Sequence, residues 1–204
     1  MADVAETIEE SGRRIGSHAW VEARLFEIVG RWSGTVPEPR ARALFASQSH
    51  HHAWHAELWH DLLPALPHVA TDAFVAPAAG DAALISALEE LDAGGDVPDG
   101  AASAGGGTGG RDGGAEGPGA AGNAGGEDDG RLVTLGRLTV LYRRVLPELA
   151  ARYADHLART TPVTDGPTIR VLRLVTADIE ADTAEGEALI EALGGPHPPA
   201  RPAG

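Results

Sequence analysis

The chain has 204 residues, 43% of them hydrophobic, no cysteine, and a formal net charge of −14. That length buries the core of one ordinary domain. The missing thiols exclude a disulfide framework and any thiolate metal site, so a metal here must be held by His, Asp or Glu. All sixteen basic residues are Arg; the acidic excess repels phosphate backbones and forms no basic stripe, which argues against a nucleic-acid partner. The opening MADVAETIEESGRR lacks the basic and apolar regions of a signal peptide, and no run of about 18 apolar residues is present to cross a bilayer. A cytoplasmic protein with no membrane partner is expected.

In chain order, apolar periodicity predicts a first helix over residues 12–32, ended by the turn between Gly34 and Pro39. A second helix follows from Pro39 or Arg40 to Leu63, stopped by Pro64. A shorter helix is predicted over 81–91. Residues 93–130 then hold sixteen of the twenty-seven glycines, seven acids and one Arg. Such a composition cannot bury enough surface to offset its ordering entropy, so a disordered, acidic, Gly-rich linker is expected. A third helix is predicted over 131–159, kinked at Pro147, and a fourth over 168–193, closed by Gly194 and Gly195. The tail, 196–204, is expected to be flexible.

No strand pattern competes. The predicted fold is all-α: a helical hairpin with a short helix (1–92), the linker (93–130) and a second hairpin (131–195). Two hairpins joined by one long crossover predict a four-helix bundle.

The segment SHHHAWHAELWH, residues 49–60, holds five of the nine histidines and two of the four tryptophans. On a wheel of 100° per residue, Leu44, Leu58, Leu62 and Leu66 define one stripe along the second helix, with Trp59 beside it. His51 and His55 fall in that stripe, His52 sits at its edge, and His50, Glu57 and His60 point away. In the first helix Ile15, Leu25, Phe26, Val29 and Trp32 form the buried stripe, and His18 and Glu22 lie within it. An antiparallel hairpin with equal distances from the turn puts Glu22 level with His51 and His18 level with His55. In the fourth helix Asp182 lies in the buried stripe with Asp178 on its margin. A parallel crossover brings Tyr142 of the third helix and Asp182 to the same level, at a rise of about 1.5 Å per residue.

This arrangement resembles the ferritin-like superfamily, whose metal-binding members carry inward carboxylates and Glu-x-x-His pairs in two antiparallel hairpins with a long crossover. The segments HAWVEARLFE and HHHAWHAELWH are similar to recurrent segments of uncharacterised bacterial proteins in that superfamily. Glu22 matches the first-helix carboxylate, and Glu57 and His60 match the second-helix Glu-x-x-His in spelling. Glu148 is the nearest third-helix acid. The fourth helix has no His, so the second Glu-x-x-His is missing. The resemblance therefore implies an altered site of His18, Glu22, His51, His55 and Asp182, holding iron, manganese or zinc, with Tyr142 as a nearby hydrogen-bond donor. An oxidoreductase or hydroxylase is the corresponding activity. The same inward residues also read as a hydrogen-bonded polar core of a metal-free bundle that binds a small ligand or a protein. Trp20, Trp54 and Trp59 on the first two helices read as packing or homodimer contacts.

Overall fold

The computed structural model describes residues 6–93 and 124–194. It contains α1 (Ile8–Thr35), α2 (Pro39–His60), a 3-10 turn (Thr71–Phe74), α3 (Asp81–Ala93) and α4 (Ala124–Val140). A π-helical turn (Leu141–Val145), α5 (Leu146–Arg159) and α6 (Gly166–Gly194) complete it. No strand occurs among the described residues; Leu66 and Val69 form only an isolated bridge. The regular structure of the described residues is all-helical, and none of these helices is long and apolar enough to cross a membrane.

α1 begins four residues before the predicted start because Thr7 and Glu10 form a capping box. The Glu10 N–H donates to Thr7 Oγ1 at 3.2 Å, and the Glu10 carboxylate accepts the Thr7 N–H at 2.8 Å. α2 opens on Pro39, where the missing N–H costs nothing, and stops at His60, three residues before the predicted end. The predicted third helix is one rod built of α4, the π turn and α5. The Leu146 N–H bonds the Leu141 carbonyl five residues back, and this wide turn brings Pro147 into the first turn of α5. The rod also starts earlier than expected: residues 124–130, assigned from composition to the linker, are helical. The rest of that linker, 94–123, and the predicted tail lie outside the described residues.

Residue pairs fix the helix directions. Trp32 packs on Phe45 with ring centroids 5.5 Å apart, Ser49 donates to the Phe26 carbonyl at 3.1 Å, and His18 packs on Trp59 at 4.8 Å. These pairs run in opposite order, so α1 and α2 are antiparallel. Gln48 meets Tyr142 and Trp59 meets Tyr153, so α2 lies parallel to the α4–α5 rod. Arg131 reaches the Leu193 carbonyl and Arg143 pairs with Glu187 at 2.8 Å, which sets α6 antiparallel to that rod. α3 covers the outside of α1 through Arg24–Glu89 at 2.5 Å and Arg31–Asp92 at 2.8 Å.

The core follows an alternating spacing of three and four residues. α1 buries Ile15, His18, Glu22, Leu25, Val29 and Trp32; α2 buries Ala41, Phe45, Gln48, His52, His55 and Trp59. This is the spacing of helices packed nearly along one another, knobs into holes. Trp32, Phe45 and Trp59 are fully buried, each stabilising the fold by on the order of 2–3 kcal/mol. Phe26, expected in the buried stripe, is 45% exposed because it lies one residue beyond the core position of Leu25. The interior of α2 is rotated away from its leucines: Leu44, Leu58 and Leu62 are only half-buried, while Phe45, His52 and Trp59 are fully buried.

Candidate metal centre

That rotation decides which histidines reach the interior. Phe45, His52 and Trp59 are spaced by seven residues and share one buried line on α2, so His52 is fully buried rather than at the edge. His55, one turn on, is also fully buried, whereas the His51 side chain is 38% exposed. Across the α1–α2 seam stands Glu22, with no exposure. The carboxylate of Glu22 accepts from His52 Nδ1 at 2.6 Å through one oxygen and from the Tyr153 hydroxyl at 2.5 Å through the other. His55 Nδ1 stands 3.4 Å from that second oxygen, and His55 Nε2 lies 3.1 Å from Asp178 Oδ2 on α6. Trp59 Nε1 donates to the Tyr153 oxygen at 3.3 Å.

The electrostatics follow from burial and pairing. Burial alone pushes the Glu22 carboxyl up; the charge and hydrogen bond of His52, then the nearby His55 imidazole, outweigh it and hold the group well below the usual carboxylate range. Burial pulls the His55 imidazole down, but Glu22 and then Asp178 draw it above its ordinary value. Burial and the Glu22 charge push the Tyr153 phenol far up, so it stays a hydrogen-bond donor.

Glu22, His52 and His55 each present a ligand atom within 4.8 Å of the others. Two imidazoles and one carboxylate are a donor set for iron, manganese or zinc. Two buried ring nitrogens, His52 Nε2 and His55 Nδ1, make no hydrogen bond; the second faces Glu22 Oε1 at 3.4 Å, and an imidazole lone pair directed at a buried carboxylate oxygen is the arrangement a cation relieves. The residues present therefore fit a divalent ion.

The predicted ligands separate into three groups. Glu22 and His55 meet at the centre. His51 and Asp182 pair with each other at the α2–α6 seam, Nδ1 lying 3.0 Å from either carboxylate oxygen. His18 meets His156, Nε2 to Nδ1, at 3.0 Å, packed against Trp59 and Tyr153. Burial, then the charge of the neighbouring His156, lowers the His18 imidazole to about 3; burial and Arg14 lower that of His156 to about 4. Tyr142 donates to Gln48 Oε1, and Gln48 in turn donates to the Asp182 carbonyl at 3.2 Å, so its hydroxyl is turned away from Glu22. Glu57 and His60 are exposed, and Glu148 pairs with Arg152 at 2.8 Å.

His52, Tyr153 and Asp178 are the centre's residues that the wheel left out of the site. The signal for His52 is the seven-residue spacing from the two bulky aromatics; Asp178 lies on the margin of its stripe, and nothing in the pattern of the third helix sets the Tyr153 hydroxyl apart. The tryptophans do not form one face. Trp59 is fully buried, Trp20 lines a groove between α1 and α3 with Arg24, Ile85 and Glu89, and Trp54 is 43% exposed on α2.

Comparisons with protein-family models, with curated proteins and with solved structures return no match.

Proposed function

We propose that the protein is a ferritin-like four-helix-bundle protein that binds one divalent transition-metal ion, iron or manganese, through Glu22, His52 and His55. The observation that carries this reading is the meeting of three wholly buried donors with two imidazole nitrogens left without hydrogen bonds. The parallel course of α2 and the α4–α5 rod supports the bundle layout, since only a long crossover joins parallel neighbours in this way.

A divalent ion with three protein ligands keeps open positions and there supplies Lewis-acid or one-electron chemistry, the basis of an oxidoreductase or hydroxylase. The chain's own residues do the rest. His52 Nδ1 and Glu22 are hydrogen-bonded and would hold the ion, Tyr153 holds the second Glu22 oxygen, and Trp59 holds Tyr153. The surrounding core excludes bulk water, which strengthens every charge interaction inside it.

One observation favours a second reading. Both Glu22 oxygens already accept a hydrogen bond from the chain, so the buried carboxylate is held without an ion, as in the polar core of a metal-free bundle serving ligand binding or homodimerisation. Elemental analysis of untagged protein, purified without chelator or nickel, separates the two. Near-stoichiometric iron, manganese or zinc that disappears in Glu22→Ala and His52→Ala supports the metal centre; a parent protein that stays empty after reconstitution with each ion overturns it.

A further inference from the structure

We infer that Asp178, from α6, is the positioning residue of the metal centre: it fixes the tautomer and ring orientation of His55 so that Nδ1 is the nitrogen offered to the ion. This rests on the metal-binding reading above.

The argument begins with a pair of ladders. His51 and His55 lie one turn apart on α2, Asp182 and Asp178 one turn apart on α6, and the antiparallel packing matches them rung by rung. Only one rung touches the centre. The His51–Asp182 rung uses His51 Nδ1 and leaves a side chain that is 38% exposed. The His55–Asp178 rung holds a side chain with no exposure at all.

An ionised carboxylate can only accept, so the His55 nitrogen facing Asp178 must carry the proton. That nitrogen is Nε2, at 3.1 Å. In the neutral ring Nδ1 is then the lone-pair atom, and Nδ1 is the nitrogen that stands 3.4 Å from Glu22 Oε1 without a hydrogen bond. Among the described residues Asp178 is the ring's hydrogen-bond partner, since the Glu22 oxygen at 3.4 Å faces Nδ1 without bonding it. Asp178 touches neither Glu22 nor His52 in any hydrogen bond, and its side chain is one-third exposed, so its influence on the centre passes through His55. A carboxylate behind a ligating histidine both fixes the ring and raises its basicity as a ligand.

The experiment loads the full-length protein with Co2+, whose visible spectrum reports coordination, and determines affinity by competition with a chromophoric chelator. It compares the parent with Asp178→Ala, Asp178→Glu and Asp182→Ala. Alanine keeps the helix, and the exposure of Asp178 keeps folding out of question; melting of the metal-free proteins confirms it. The expected result is a Co2+ affinity about 10- to 100-fold weaker in Asp178→Ala with an altered visible band. Asp178→Glu recovers most of the loss, and Asp182→Ala stays within twofold of the parent. An Asp178→Ala protein with the parent's affinity and spectrum overturns the positioning role while leaving the metal centre standing. A parent that binds no Co2+ overturns both.

Discussion

The Tyr153 hydroxyl donates to Glu22 Oε1 at 2.5 Å in the middle of the core, where neither side chain has any exposure. A hydrogen bond to an ionised acceptor is worth about 1.5–3 kcal/mol, roughly twice a neutral one. Tyr153→Phe keeps the ring and removes the donor, and it also strips Trp59 Nε1 of its acceptor. The expected outcome in urea unfolding of the metal-free protein is a loss of about 2–3 kcal/mol. Tyr142→Phe breaks a neutral bond to Gln48 and is expected to lose about 1 kcal/mol. Equal losses in the two variants would show that Glu22 is not ionised in the fold.

His18 and His156 predict how stability varies with pH. Both imidazoles are lowered on folding, to about 3 and about 4, chiefly by burial, against about 6.5 in an unfolded chain. The unfolded state therefore binds more protons in this range. The stability from keeping the pair neutral is fully present above about pH 6.5 and is lost as pH falls toward about 4. Urea midpoints of the parent between pH 7 and pH 4 should fall with a slope that the double variant His18→Gln/His156→Gln flattens. At most each histidine contributes about 1.4 kcal/mol per pH unit. An undiminished slope in the double variant assigns the acid sensitivity to other groups.

Two helical glycines should respond to alanine with opposite signs. A Cβ on Gly186 of α6 would run into the Tyr142 ring, while a Cβ on Gly136 of α4 meets nothing within 4 Å. Gly136→Ala gains helix propensity and is expected to stabilise by up to about 1 kcal/mol, raising the melting temperature by about 2–4 °C. Gly186→Ala forces the tyrosine or the helix aside and should cost about 1–3 kcal/mol. Thermal melts of the pair test the packing of the α4–α5 rod on α6 directly, because a Gly186→Ala protein as stable as the parent means that Tyr142 is not seated there.

The helical class, the first hairpin and the inward position of Glu22 and His55 were legible in the sequence, because the alternating three- and four-residue spacing of α1 is marked by Ile15, Leu25, Val29 and Trp32. The interior of α2 was not. Its buried face includes Gln48, Ser49, His52 and His55, so the apolar pattern there is weak, and the half-buried leucines set the wrong phase. Register failed for a related reason. Counting equally from the turn paired Glu22 with His51, whereas the Trp32–Phe45 contact and the Glu22–His52 bond displace the pairing by up to a turn. The start of α4 lay in sequence that composition alone reads as linker, since helical glycines such as Gly130 look no different from flexible ones.

The difference between His51 and His52 makes the sharpest test of the centre, because the two are adjacent in sequence and opposite in surroundings. His52 is fully buried on Glu22; His51 reaches solvent and is tied to Asp182. Removing any ligand from a three-donor set leaves two donors and costs the ion; removing a histidine also leaves the buried Glu22 carboxylate short of its partner, at about 3–5 kcal/mol of stability. His52→Ala and Glu22→Ala are therefore expected to lose bound metal, and His55→Ala likewise. His51→Ala, Asp182→Ala and His18→Ala are expected to retain it at the parent's stoichiometry. Metal content by elemental analysis after reconstitution and desalting reads all six variants against the parent. Retention in His52→Ala combined with loss in His51→Ala would move the centre to the α2–α6 seam and reverse the phase of α2 described above.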